Sequence, residues 1–162
     1  METITINKQN AEAALKLAKG ETKKVLSALL GDSFIPRPVM ERIKTFEDAL
    51  SAVGATADQH SLLQYSGVNT GMLAAQAHLR ISIIAKALNE GWQPDWTNSS
   101  EYKYYPWFNM EEFKSGVGLS ADVCAHADSH STVGSRLCFK SSELAEYAGT
   151  QFISEYSKLF TL

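Results

Sequence analysis

Cys124, His126, Asp128 and His130 stand at every second position of the stretch VCAHADSHS, and all four are metal-ligating types. Drawn out as a strand, Val123–Ser131 places them on one face. Thiolate, imidazole and carboxylate in that company suit zinc or another transition metal, and two ligands two residues apart on a strand can share one ion. A single straight strand cannot wrap all four around one ion, because the outer pair would stand roughly 20 Å apart. A site would need an adjacent pair plus a residue from elsewhere, and His60 and His78 are the only other histidines. The preferred reading is a polar strand end that runs into a serine-rich loop. No cofactor is expected, and zinc on this stretch is the alternative.

A second group with chemical capacity is aromatic: Trp92, Trp96, Tyr102, Tyr104, Tyr105, Trp107 and Phe108. Flat rings stack on sugars or unpaired bases, and Lys103 would add a phosphate contact. Aromatics also favour strands and fill the space between a small sheet and a helix, and that packing role is preferred for most of them. Alternation over Tyr102–Met110 sorts the set. Tyr104, Phe108 and Met110 share one face, which is assigned to the core. Tyr105 and Trp107 share the other with Lys103 and Asn109, and that half-exposed face is the candidate contact surface. Arg136 is the remaining candidate binding residue. It either binds an anion or, as is preferred, pairs with Glu143 or Glu146.

Other catalytic patterns are missing from the sequence. Ser120, Ser129 and Ser131 lie near His126 and His130, but no nucleophile elbow is present, and triad partners normally come from separated segments. Gly116-Val117-Gly118 lacks the lysine and the spacing of a phosphate loop.

The elements that must carry these residues follow from periodicity and caps. Asn7 caps a helix that Gly20 ends, and a second helix over Glu21–Leu30 stops at Gly31. Its Val25, Leu26, Leu29 and Leu30 lie on one side. Thr45-Phe46-Glu47-Asp48 is a capped start with acids in the first turn. The longest helix, capped by Thr70 or Asn69, runs from about Met72 to Asn89 and ends at Gly91. Its apolar stripe, from Met72 to Leu88, is wider than a coiled-coil seam, so the helix should be central. Strands follow at Tyr102–Met110, Val117–Ala127 and Ser135–Lys140. Pro106 points to an edge or a bulge in the first. Ser141 or Ser142 caps a last helix that buries Ala145, Ala148, Phe152, Tyr156 and Phe160.

The expected fold is therefore α+β in one domain over residues 1–162. A helical cluster around one long helix takes up about 7–91. A small antiparallel sheet of about three strands, with the C-terminal helix packed on it, takes up about 101–160. The hydrophobic content is 44%, the charged content 20% and the net charge −3, so no basic footprint for duplex nucleic acid is present. No apolar run is long enough for a membrane span, and no signal peptide is legible, which points to the cytoplasm. There Cys124 and Cys138 are expected as buried thiols rather than a disulfide.

The segment GSRLCFKSSELAEYAGTQF, from Gly134 onward, resembles a tail of small uncharacterised proteins from Bacteroides-group gut bacteria and their phages and prophages. Further matching pieces are IKTFEDA from Ile43, ALNEGW from Ala87 and YYPWF from Tyr104. The pieces keep their order and cover most of residues 43–160. The resemblance implies a phage-linked or mobile-element origin, hence a host-cell cytoplasm, and carries over no catalytic residue. The Cys124–His130 stretch lies outside its pattern. The expected function is a non-catalytic accessory or interaction protein that binds a protein partner or itself. The alternative is a small ligand-binding module or metal-dependent enzyme that uses Cys124–His130 or an aromatic groove.

Overall fold

A computed structural model describes residues 5–31, 37–55, 61–110, 131 and 133–162, together with the backbone of 120–127. The chain divides into two compact units, Met1–Pro38 and Val39–Leu162.

The first unit holds α1 (Lys8–Leu17) and α2 (Gly20–Leu30). Asn7 caps α1 as its type predicts, its Oδ1 accepting from the N–H of Gln9 and Asn10 at 2.9 and 3.3 Å. Ala11 and Leu15 of α1 are buried, whereas α2 has no buried residue. Val25 and Leu29, which helical spacing places on a packed side, are exposed.

The second unit opens with α3 (Val39–Arg42) and α4 (Phe46–Ala52), followed by a 3-10 turn at Ser61–Gln64 and α5 (Thr70–Asn89). A capping box starts α4. Thr45 Oγ1 accepts from the Asp48 N–H at 3.1 Å, and Asp48 Oδ2 accepts from the Thr45 N–H at 2.8 Å. Asn69 caps α5 through the Met72 N–H at 3.1 Å. One side chain of α5 ties the preceding turn down: Gln76 Nε2 donates to the carbonyls of Leu62, Leu63 and Tyr65 at 2.9–3.1 Å. The helix ends with Glu90 in the left-handed region (φ 51°) and Gly91 after it (φ 88°).

The C-terminal half of α5 is buried at Ile81, Ile83, Ile84, Ala85, Ala87 and Leu88, which is more than one face, so the helix is central as its wide stripe predicts. Around it pack Phe46 and Ala49 of α4, Phe139, and Leu144, Ala145 and Ala148 of α6 (Ser142–Gln151). A smaller cluster joins Ile81 to Phe108 and to Tyr156 of α7 (Ile153–Thr161). Arg80 clamps α5 to α7. Its guanidinium lies 3.6 Å from the centre of the Phe46 ring and 3.0 Å from Glu155 Oε1.

The expected α+β sheet is corrected by this arrangement. Helix dominates the described residues, and the extended pairing among them is a two-stranded antiparallel ribbon, β1 (Lys103–Asn109) with β2 (Ser120–Ala127). The third strand expected at Ser135–Lys140 shrinks to one bridge, Tyr104 with Phe139, closed by N–H to carbonyl bonds of 3.0 and 2.7 Å. Physical stops lie on both sides of it. The next β1 residue facing that edge is Pro106, which has no N–H to donate. Beyond Phe139 the chain reaches Ser141, whose hydroxyl caps α6 by accepting from the Leu144 N–H. Pro106 pairs in register with Cys124, and past the Tyr104 bridge the other edge of β1 has no strand partner among the described residues, which is the edge position that was one of its two expected places.

Three further expectations are corrected. The terminal helix is two helices, broken at Phe152 (φ −112°, ψ 29°). Phe160 and Met110, assigned to the core, are both substantially exposed. As expected, α6 lies against both strands of the ribbon. Its small residues Ala145, Ala148 and Gly149 are buried and permit the close approach.

Candidate functional site

Alternation along β1 sorts its side chains largely as predicted. Phe108 is buried, and its ring lies 4.8 Å from that of Tyr156. Tyr104 is half-buried and packs on the main core. On the other face Tyr105 is half-buried and Trp107 is 54% exposed. An indole that open to water at the centre of a strand is available for contact.

Lys103 departs from the expectation. Alternation assigns it to the half-exposed face, yet it is fully buried. The cause is the loop that precedes the strand. Lys103 Nζ donates to the Asn98 carbonyl at 3.0 Å, lies 3.4 Å from Glu101 Oε1 and sits 5.4 Å from the Trp96 ring centre. Glu101 Oε1 also accepts from the Asp95 N–H at 2.8 Å. This end of the face is thus roofed by the loop, and the Trp107 end is open. Lys103 is an anchor for the loop, not a phosphate contact.

The metal-ligating stretch is only partly described. In the backbone register Cys124 stands opposite Pro106 and His126 opposite Tyr104, on alternate positions of β2. Their side chains, with Asp128, His130 and His60, lie outside the described residues. Among the described residues no three His, Cys, Asp or Glu groups come together.

Arg136 does not form the ion pair expected with Glu143 or Glu146, and among the described residues it has no acidic partner. Glu143 is held in place locally: hydrogen bonds from its own backbone N–H and from Ser141 and Ser142 keep its carboxyl below the usual range. Arg136 is exposed and lines a groove of about 500 Å³ together with Lys86 and Trp92. Leu79, Ile83 and Ser82 also line it. An adjoining hollow shares Ser135 and Arg136 and adds His78. Sequence reasoning missed Lys86 and Ser82. The signal was present, because His78, Ser82 and Lys86 recur every fourth residue of α5 and so share one stripe.

The chain matches no family model, no curated protein and no solved structure. The resemblance to phage-linked proteins therefore rests on the quoted segments alone. Among the described residues no helix is long and apolar enough to cross a membrane.

Cys138 is a buried thiol, and desolvation pushes its pKa from 9.0 up to about 11. It is therefore protonated at neutral pH and a poor nucleophile. A raised pKa favours the folded state fully below pH 9.0, and that contribution is lost as pH rises toward about 11. In a Cys124→Ala background, Cys138 should resist a thiol reagent at pH 8 until denaturant is added. The melting temperature should fall as the pH passes 9, less steeply once Cys138 is also replaced by alanine. Immediate labelling of the folded protein would contradict the burial.

Proposed function

We propose that this chain is a non-catalytic interaction protein, of the phage- or prophage-associated kind that its quoted segments resemble, and that it works in the cytoplasm of its host cell. The contact surface is centred on Trp107, and the partner is a protein, a second copy of the chain included. The observation that supports this reading is the exposure of the Trp107 indole on a strand whose neighbours Pro106 and Phe108 are buried. Tryptophan is enriched at the centres of protein interfaces, because its large apolar body also carries a polar tip.

Site-specific photo-crosslinking tests it. A benzophenone amino acid at position 107 should give a discrete adduct with one protein, either the chain itself or another. The same probe at Glu21, an exposed residue of α2, should not. No adduct at 107, or identical adducts from both positions, would sink the assignment.

A further inference from the structure

We infer that the groove between α5 and the Ser135–Arg136 segment binds a small organic anion with a flat ring, of the nucleoside monophosphate class. The inference stands apart from the Trp107 surface and rests on different residues.

Charge points to the anion. Lys86 and Arg136 both line the groove, no acidic side chain lines it, and among the described residues neither cation is in an ion pair. Two such cations bordering one groove repel each other, and a bound phosphate or carboxylate relieves that repulsion while accepting hydrogen bonds from both. Shape and lining point to the ring. The Trp92 indole, Leu79 and Ile83 give apolar surface, while the Ser82 hydroxyl already donates to the Leu79 carbonyl at 2.8 Å and is turned toward its own helix. A volume of about 500 Å³ suits a ligand of one or two rings with a charged group.

The walls are held before any ligand arrives. Trp96 Nε1 donates to Ser135 Oγ at 2.7 Å, next to Arg136 in the chain. Ser131 Oγ accepts from the N–H groups of Val133 and Gly134 at 3.1 and 2.9 Å, just ahead of Ser135. On the far side the Trp92 N–H bonds to the Asn89 carbonyl at 3.0 Å. A preformed groove loses little freedom on binding.

Titration calorimetry of the full chain, with adenosine monophosphate, adenosine and inorganic phosphate as probes, tests the inference. Adenosine monophosphate should bind, and either fragment alone should bind about tenfold or more weakly. Lys86→Ala and Arg136→Ala should each weaken nucleotide binding about tenfold, as loss of a charge-assisted hydrogen bond does. Both residues are exposed, so the melting temperatures of the variants should match that of the unaltered chain. No binding of adenosine monophosphate at millimolar concentration would overturn the inference. So would binding that both variants retain in full. Phosphate binding as tightly as the nucleotide would overturn the ring half of it.

Discussion

Phe152→Ala should cost about 3–5 kcal/mol of stability, the range for removing a large aromatic side chain from a core. Phe152 is 4% exposed and belongs to the main core cluster. Its ring meets that of Tyr147 edge-on, with centres 6.3 Å apart. The residue is also the hinge of the C-terminal helices. Its N–H closes α6 on the Ala148 carbonyl at 3.1 Å, and its own carbonyl accepts from the Glu155 N–H at 2.9 Å at the start of α7. Alanine retains those backbone bonds but leaves a cavity where α5 and α6 meet. A guanidinium titration with unchanged slope should show the whole loss as a shifted midpoint. A loss under about 1 kcal/mol would mean that the ring is not a core anchor.

Asn89→Ala should cost about 2–4 kcal/mol, because it leaves one buried and one partly buried backbone group without their partner. Asn89 is buried at the end of α5. Its Nδ2 donates to the Cys138 carbonyl at 2.8 Å, and its Oδ1 accepts from the Lys140 N–H at 3.0 Å. The side-chain amide thus occupies the place of a neighbouring strand for residues 138 and 140, while Tyr104 pairs with Phe139 between them. Besides the lost stability, amide exchange at Lys140 should speed up in the variant. If exchange there is unchanged and stability drops by less than about 1 kcal/mol, the amide is not what secures this segment.

Asn89 also shows why part of the fold was legible in the sequence and part was not. Helix starts could be read because Asn7, Thr45 and Asn69 act on their own next turn, within three residues. The central role of α5 could be read from a stripe too wide for one face. The missing third strand could not. Alternation at Ser135–Lys140 has the period of a strand, but strand pairing depends on a distant partner. Here the proline at 106 limits that partner's edge to one residue, and the Asn89 side chain takes the opposite edge of the segment. In sequence Pro106 reads as a ladder breaker; that it stops a strand on its far side depends on the fold.

The candidate sites divide in the same way. Trp107 was legible because alternation and polarity acted together on one short strand. Lys103 shares its face in sequence but is roofed by a loop whose Asn98 and Glu101 reach it only in three dimensions. Local pattern carries no information about such a roof. Arg136 was singled out for its chemistry. Its expected partners, Glu143 and Glu146, are close in sequence, yet the groove that it borders is made by α5 and by Trp92, some fifty residues earlier. Lys86 escaped notice because a lone lysine on a helix is usually a solvated charge. Only the fold brings it to the same groove as Arg136.

The proposed contact surface requires that Trp107 lie outside the core. Denaturant unfolding of Trp107→Ala beside the unaltered chain tests it most directly. The expected loss is below about 1 kcal/mol with an unchanged slope, as for a side chain already in water. A loss of about 3 kcal/mol or more, the range for a buried tryptophan, would place Trp107 in the core and contradict the claim.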